Sequence, residues 1–512
     1  MQDVFGNALN FNMALLLPEI ILAAVAVLVV VLDMFAKELK VRPAALPIVS
    51  ILGLLAAGVA SGLAVDQHSD FGLLVTIDNF TAFFRITFIA VAIVLILGSH
   101  EYIEKHVNHV AEFYALLLFS TVGAIFMASA RDLLVAYLGI EVLSFSLYIA
   151  VSLAKNDMRS GEAGLKYVLL GGVASAMLLY GLSLLYGVAG STQYGEIANA
   201  LGKSNGDLRM PLLLGLTLIV AGLGFKMSAV PFHMWAPDAY EGAPMPVTSY
   251  LSVTSKGATL ALFLRWFGGP LLPAIADWQW MIAIVATLTM VVGNLVALQQ
   301  TNIKRLLAYS SIAQAGFMLM AITTMSDIST SAVLVHLGGY IVTNLALFTA
   351  ITHFYNRTGK EEITDFRGLS RTNPYLATVI TAGLFSLAGM PLLAGFFTKF
   401  ILFQAVVQGG FLWLVVVAVV GSTVSLFYYL QVIRQMYIYE PEGDATRWSI
   451  SGTGYLTTGA LLALIVFIGI QGAPLYTVAD RAAFDLFPQG VVAPAGASTG
   501  AAPAAAPAAP KH

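Results

Sequence analysis

LGFKMSAVPFHMWAPDAYEGAPMPVTSYLSVTSKG, residues 223–257, decides the fold. Two lysines, Lys226 and Lys256, stand in segments otherwise apolar enough for a bilayer, with Pro231, Pro237, Pro244 and Pro246 between them. Each proline lacks an N–H and most clash with the preceding turn, so no helix runs unbroken through the stretch. The first hydrophobic segment is predicted to break. Irregular backbone at membrane depth is tolerated only inside protein or along a watered cavity, and intramembrane lysines are costly and usually functional. A charge-carrying path through the membrane is the first expectation.

The whole chain fits that setting. At 512 residues, 58% hydrophobic and 10% charged, it is too apolar for a soluble protein and reads as an all-α polytopic membrane protein. With no cysteine, disulfides, iron–sulfur clusters and thiolate zinc sites are excluded from this chain. The histidines, such as His100, His106 and His109, read mostly as loop residues, so haem ligation is not expected and electron transfer is left to partners. The net charge of −3 decides nothing, because nearly all charge sits in loops, and no nucleic-acid partner is expected. The first apolar run lacks a basic region before it and a small-residue cleavage site after it, and reads as a retained membrane helix.

Apolar stretches long enough for a hydrocarbon core of roughly 30 Å number fourteen. They fall near 13–33, 44–65, 80–99, 112–129, 132–153, 162–188, 211–231, 246–268, 278–299, 303–325, 330–355, 374–406, 411–436 and 455–474. The odd-numbered connections carry Lys37, Lys40, Arg42, Lys105, Lys155, Arg159, Lys304, Arg305, Arg357, Lys360, Arg367, Arg371, Arg434 and Arg447. The even-numbered ones carry only Arg131, Lys203, Arg209 and Arg265. By the positive-inside rule both termini face away from the cytoplasm. The Ala/Pro/Gly tail at 491–512 has almost nothing to bury and is expected to be disordered.

Two spans look alike. GLGFKMSAVPFHMW in the seventh and SLAGMPLLAGFFTKF in the twelfth share small residues, a mid-span proline and a nearby lysine. The prolines, Pro231 and Pro391, are 160 residues apart, about five spans, and an odd number of spans per repeat inverts the topology.

Several charges lie too deep to be loop residues. Glu141, nine residues after Asp132, is about 13 Å into the fifth span; burial raises its pKa and a nearby lysine lowers it. Lys226 sits at the expected break, where freed carbonyls would solvate its ammonium. Lys256 is about ten residues into the eighth span, and Lys399 eight beyond Pro391 in the twelfth. His336 in the eleventh span faces Gly338 and Gly339, as a proton relay or as a satisfied core histidine. Lys166 is close enough to a span end to reach the interface. Arg85 and Glu19 are expected at the interface, while Asp238 and Glu241 in WAPDAYEGAP are expected either to gather protons at an entrance or to be solvated. Single titratable groups spread over five spans suit proton passage better than one substrate pocket.

GIEVLSFSLYI around Glu141, the stretch from Phe225 to Lys256, QTNIKRLLAYSSIAQAG at 300–316 and GMPLLAGFFTKF at 389–400 together resemble the proton-translocating antiporter-like family. Its members are large membrane subunits of NADH-quinone oxidoreductase (respiratory complex I) and of multisubunit cation/proton antiporters. Lys399 stands where one branch of the family carries a glutamate, and the long amphipathic C-terminal arm of another branch is lacking. The resemblance implies two inverted five-helix repeats with broken seventh and twelfth helices: helices 1–3 over 1–111, a first repeat over 112–268, a second over 278–436, then helix 14 over 455–474. It implies Glu141 paired with Lys226, Lys256 as central relay, Lys399 at the outward half-channel, Lys166 in support and, more loosely, His336. It also implies FMN, iron–sulfur clusters and quinone in partner subunits, neighbouring antiporter-like subunits, and a bacterial inner (plasma) membrane with periplasmic termini. The Ala/Pro tail departs from the family pattern. A cation/proton antiporter subunit and a structural scaffold are the alternatives.

Overall fold

Long apolar runs fenced by polar caps set the architecture of the computed structural model, which describes residues 13–35, 45–71, 73–203, 208–442 and 446–487. The elements, in order, are α1 (Leu17–Met34), α2 (Ala45–Leu63), a hairpin of β1 (Ser69–Phe71) and β2 (Val75–Ile77), α3 (Asn79–His106), α4 (Val110–Ser129), α5 (Leu133–Val151), α6 (Met158–Ala189), α7 (Tyr194–Gly202), α8 (Arg209–Met227), α9 (Trp235–Gly242) and α10 (Met245–Tyr250). A π turn, Leu251–Ser255, joins α10 to α11 (Lys256–Phe267). Then follow α12 (Ile275–Ala297), α13 (Ile303–Ile322), α14 (Asp327–Thr358), α15 (Leu369–Thr372), α16 (Pro374–Ala388), α17 (Ala394–Gln408), α18 (Leu412–Tyr437), α19 (Gly452–Ile470) and α20 (Ala473–Leu486).

Side-chain caps fix where these helices begin. Asp78 accepts from the Thr81 N–H at the start of α3, Asp132 from Leu134 at α5, Asn302 from Lys304 at α13, and Asn373 from Leu376 at α16. Each satisfies an amide that the first turn leaves without an intrahelical partner. Gly359 and Gly389 adopt left-handed conformations at the ends of α14 and α16, which glycine takes without a Cβ penalty.

Among the described residues twelve helices are long and apolar enough to cross a membrane. The remaining two expected spans, the eighth and the twelfth, are subdivided: α10, π turn and α11 in one, α16 and α17 in the other. The seventh breaks after Met227, as the prolines predicted, and continues as α9. Helices approach closely where glycine permits; a Cβ on Gly123 of α4 would lie 2.5 Å from the Leu143 nitrogen of α5.

Several expectations are corrected. α3 continues past the apolar run to His106, so His100 and His106 are helical rather than loop residues, and His336 and His353 are buried in α14. The fourteenth span is Gly452–Ile470, and the amphipathic α20 behind it was not anticipated. Arg85 and Glu19 are not interfacial: both are buried, and they pair at 2.6 Å between α3 and α1. Arg265, counted as a loop charge, is buried and holds Asp78 with two bonds of 2.7 Å. Lys37, Lys40, Arg42 and the tail at 491–512 lie outside the described residues.

Candidate functional site

Three lysines and a histidine in the middle of the bundle are almost entirely shielded: Lys226 is 3% exposed, Lys256 1%, Lys399 4% and His336 2%. None of them has a carboxylate partner within ion-pair distance among the described residues, whereas the buried arginines Arg85 and Arg265 both do. Burying an ammonium without a counter-charge costs several kcal/mol. The ways in which these four are held define the site.

Lys226 is in the last turn of α8. Its Nζ donates to the Ser144 hydroxyl at 2.5 Å and to the Tyr148 hydroxyl at 3.1 Å, both on α5, and lies 5.3 Å from the centre of the Tyr148 ring. Glu141, Ser144 and Tyr148 follow at i, i+3 and i+7, so all three share one face of α5. The expected Glu141–Lys226 pair is therefore not direct. Glu141 accepts from the Ser175 hydroxyl of α6, which also lies 3.2 Å from the Tyr137 hydroxyl, while the Ser144 hydroxyl donates to Ile140 O. The side chain of Lys226 meets α5 at the first and second turns beyond Glu141. Nor do freed carbonyls solvate Lys226. Phe225 O accepts the Trp235 indole at 2.7 Å and the Ser228 N–H at 3.0 Å, and Gly224 O accepts the Ala229 N–H at 2.7 Å.

Lys256 begins α11, directly after the π turn. Its Nζ is buried without a hydrogen-bond partner among the described residues.

Lys399, one turn into α17, reaches back across the break to the end of α16. It donates to Leu387 O at 2.7 Å and to the Ser422 hydroxyl of α18 at 2.9 Å, and lies 4.9 Å from the centre of the Phe317 ring. A cation beside a helix C-terminus is favoured by the dipole as well as by the open carbonyls. Gln314 also donates to Leu387 O, at 3.2 Å. His336 Nδ1 is 3.2 Å from the Thr398 hydroxyl, one residue before Lys399, while its Nε2 has no hydrogen-bond partner among the described residues. His336, Gln314, Tyr340 and Lys399 share a cavity of about 10 Å³, room for one water.

Lys166 lies apart from these. Its side chain is 46% exposed and pairs with Glu162 at 2.8 Å and Asp238 at 2.9 Å. Asp238 and Glu241 are neither free nor in a loop: they lie on α9 and both accept from Arg305 at 2.8 Å. This cluster ties the second half of the broken seventh span to α6 and α13.

A cavity of about 850 Å³ opens at the end of the bundle opposite this cluster, beside the β-hairpin, and is lined by none of the buried lysines. Asp78 and Arg265 stand in its wall. Burial works to raise Asp78, and the Arg265 guanidinium outweighs it and holds the carboxyl below 3.8.

Ser144 and Tyr148 were legible as face-mates of Glu141 from their spacing. Ser422 and Gln314 carried no such signal, being distant in sequence from Lys399.

A family model described as NADH:quinone oxidoreductase/Mrp antiporter, TM, matches residues 130–425. NADH-quinone oxidoreductase subunit N of Desulforamulus reducens is 40% identical over 480 residues, covering 93% of this chain and 99% of the relative. Among solved structures, a chain of respiratory complex I from Thermus thermophilus with bound Aureothin aligns with a TM-score of 0.76 at 30% identity, over 90% of this chain and 99% of that one. A chain of the membrane-bound sulfane sulfur reductase, an archaeal respiratory membrane complex, aligns with a TM-score of 0.80 at 25% identity, over 91% and 97%. On the extent of these matches, the chain belongs to the NADH:quinone oxidoreductase/Mrp antiporter family of transmembrane proteins.

Proposed function

We propose that this chain is a membrane-arm subunit of a proton-pumping NADH-quinone oxidoreductase, itself without redox centres. Its relative in Desulforamulus reducens, matched over nearly its full length, is named NADH-quinone oxidoreductase subunit N. FMN, iron–sulfur clusters and the quinone site belong, on this reading, to partner subunits, and other antiporter-like subunits adjoin this chain in the bilayer of a bacterial inner membrane. The basic connections face the cytoplasm. Residues 112–268 and 278–436 act as two inverted repeats, the first carrying Glu141, Lys226 and Lys256, the second His336 and Lys399.

The observation that carries the reading is the set of buried lysines without carboxylate partners. A scaffold charge is normally paired, and Arg85 and Arg265 supply that pattern in the same chain. A lone ammonium beside hydroxyls is poised instead to lose and regain a proton, since one unit of pKa is only about 1.4 kcal/mol. Electron transfer in the partners shifts the charge seen by Glu141 and Lys226. Lys226 then gives up its proton towards Lys256, and Lys399, with His336 beside it, releases one outward. Lys166 acts at the rim, by holding Asp238 of the broken span.

Purification of this chain from its native membrane in mild detergent tests the assignment. Flavin, iron–sulfur clusters and NADH–quinone activity should co-purify. Recovery with other small membrane proteins and no redox centre favours a multisubunit cation/proton antiporter and removes the electron-driven step. Lys256→Met separates relay from scaffold: a relay assembles and loses proton flux, while a scaffold loses assembly.

A further inference from the structure

The π turn at Leu251–Ser255 lies immediately before Lys256. Such a turn holds one residue more than the α turn it replaces, and one residue is about 100° of rotation at 3.6 residues per turn. Whether the turn is π or α therefore decides which way the Lys256 side chain leaves the helix. In an α turn the Ser252 carbonyl would accept the N–H of Lys256, four residues on; here that N–H goes to Val253 O. A buried carbonyl needs a partner, and a side chain from another helix supplies one: the Tyr340 hydroxyl of α14 donates to Ser252 O at 2.9 Å.

Tyr340 is itself held. Its hydroxyl is 2.7 Å from the Ser311 hydroxyl of α13, which is 3.4 Å from the Tyr240 hydroxyl of α9. All four residues are buried. With Tyr340 donating to Ser252, the consistent direction is Tyr240 to Ser311 to Tyr340 to the Ser252 carbonyl. The chain runs from the helix that follows the seventh-span break to the turn beneath Lys256, and Tyr340 also lines the small cavity that holds His336 and Lys399. No hydrogen-bond partner among the described residues grips the Lys256 ammonium itself, so the backbone under it sets its direction.

We propose that Tyr340 is a positioning residue for Lys256, its hydroxyl, fed by Ser311 and Tyr240, holding the Ser252 carbonyl and with it the π turn that aims the lysine. The role rests on the relay reading of Lys256 given above. Without the phenol the carbonyl recovers the Lys256 N–H, the turn relaxes to α, and the lysine swings away.

Tyr340→Phe, which keeps the ring and removes the hydroxyl, is tested in the purified assembled complex by two readouts. One is the backbone of residues 251–256 in a cryo-electron-microscopy map; the other is the number of protons moved per electron in proteoliposomes, with NADH–quinone turnover measured in parallel. The π form should lose about fivefold of its weight against the α form, the change that one net hydrogen bond supports. The proton-to-electron ratio should fall while turnover persists. A π turn retained at full weight, or a relaxed turn with an unchanged ratio, overturns the proposal. Lys256→Met, run alongside, tells two failures apart. A ratio unchanged by Lys256→Met overturns the relay and with it the role of Tyr340; a ratio lowered by Lys256→Met but not by Tyr340→Phe overturns Tyr340 alone. Ser311→Ala removes the hydroxyl that feeds Tyr340, and should shift both readouts the same way by less; no shift in either counts against the chain.

Discussion

The two broken spans solve one problem in opposite ways. In the seventh, Lys226 ends the first half-helix, and the carbonyls at the break are already taken by the Trp235 indole and the N–H groups of Ser228 and Ala229. Its ammonium must find hydroxyls on α5. In the twelfth, Lys399 belongs to the second half-helix and reaches back to the Leu387 carbonyl, which it shares with the Gln314 amide. N–H groups beyond the break cap both helix ends; the lysines differ in that Lys399 reaches a backbone carbonyl and Lys226 only hydroxyls. The first arrangement leaves Lys226 on the face of α5 that carries Glu141; the second leaves Lys399 beside backbone and His336, with no carboxylate in ion-pair distance among the described residues.

The strongest test of that contrast is a charge that did find a carboxylate. Arg265→Met leaves Asp78 buried without its guanidinium and should cost about 3–5 kcal/mol, read as a lower temperature for loss of this chain from the solubilised complex. Lys256→Met removes an ammonium that has no partner, and should leave that temperature unchanged or higher. Equal losses from both would erase the distinction between paired and unpaired charge.

Ser144→Ala and Ser422→Ala probe the two lysines directly. Hydrogen bonds to charged groups contribute about 1.5–3 kcal/mol. Lys226 without Ser144 keeps only Tyr148, whereas Lys399 without Ser422 keeps the Leu387 carbonyl. Proton movement per electron should therefore fall further in Ser144→Ala. The reverse order would mean that the carbonyl is the weaker hold.

Trp235→Phe reopens the seventh break. Phe225 O retains the Ser228 N–H, so the thermal cost should be about 1 kcal/mol. No loss at all would show that the indole does not seal the helix end.

The breaks themselves were legible, because Pro231 and Pro391 announce themselves through backbone chemistry, and so were the deep lysines, whose charge stands out in apolar runs. Partners were not. Glu19 and Arg85 each looked like a charge near a span end, and nothing local says that residues 66 apart in sequence share a buried pair. The π turn has no proline or glycine within LSVTS to mark it, and one extra residue in a fully buried helix leaves no trace in hydrophobic periodicity. α3 outran its apolar stretch because its last turns bury Tyr102 and Ile103 against protein rather than lipid. The Glu141–Lys226 pair was implied by the family resemblance; that Lys226 meets Ser144 and Tyr148 instead depends on how α5 faces α8.

The smallest effect belongs far from both breaks. His68, outside the spans, is raised above its ordinary 6.5 by a hydrogen bond to Asp485 on α20. A raised value favours the protonated folded form, so the contribution is complete below pH 6.5 and fades as pH climbs through the raised value. With 59% of the side chain exposed, solvent screens most of it. Thermal midpoints of wild type and His68→Gln should differ slightly at low pH and converge at high pH; curves parallel throughout would remove the pair from consideration.

Proton movement through both breaks is tested most directly by Lys226→Met and Lys399→Met in the assembled complex, each reconstituted with NADH oxidation and proton uptake recorded together. Both variants should keep electron transfer and move fewer protons per electron. A wild-type ratio in both, with the complex intact, would contradict proton passage through these lysines.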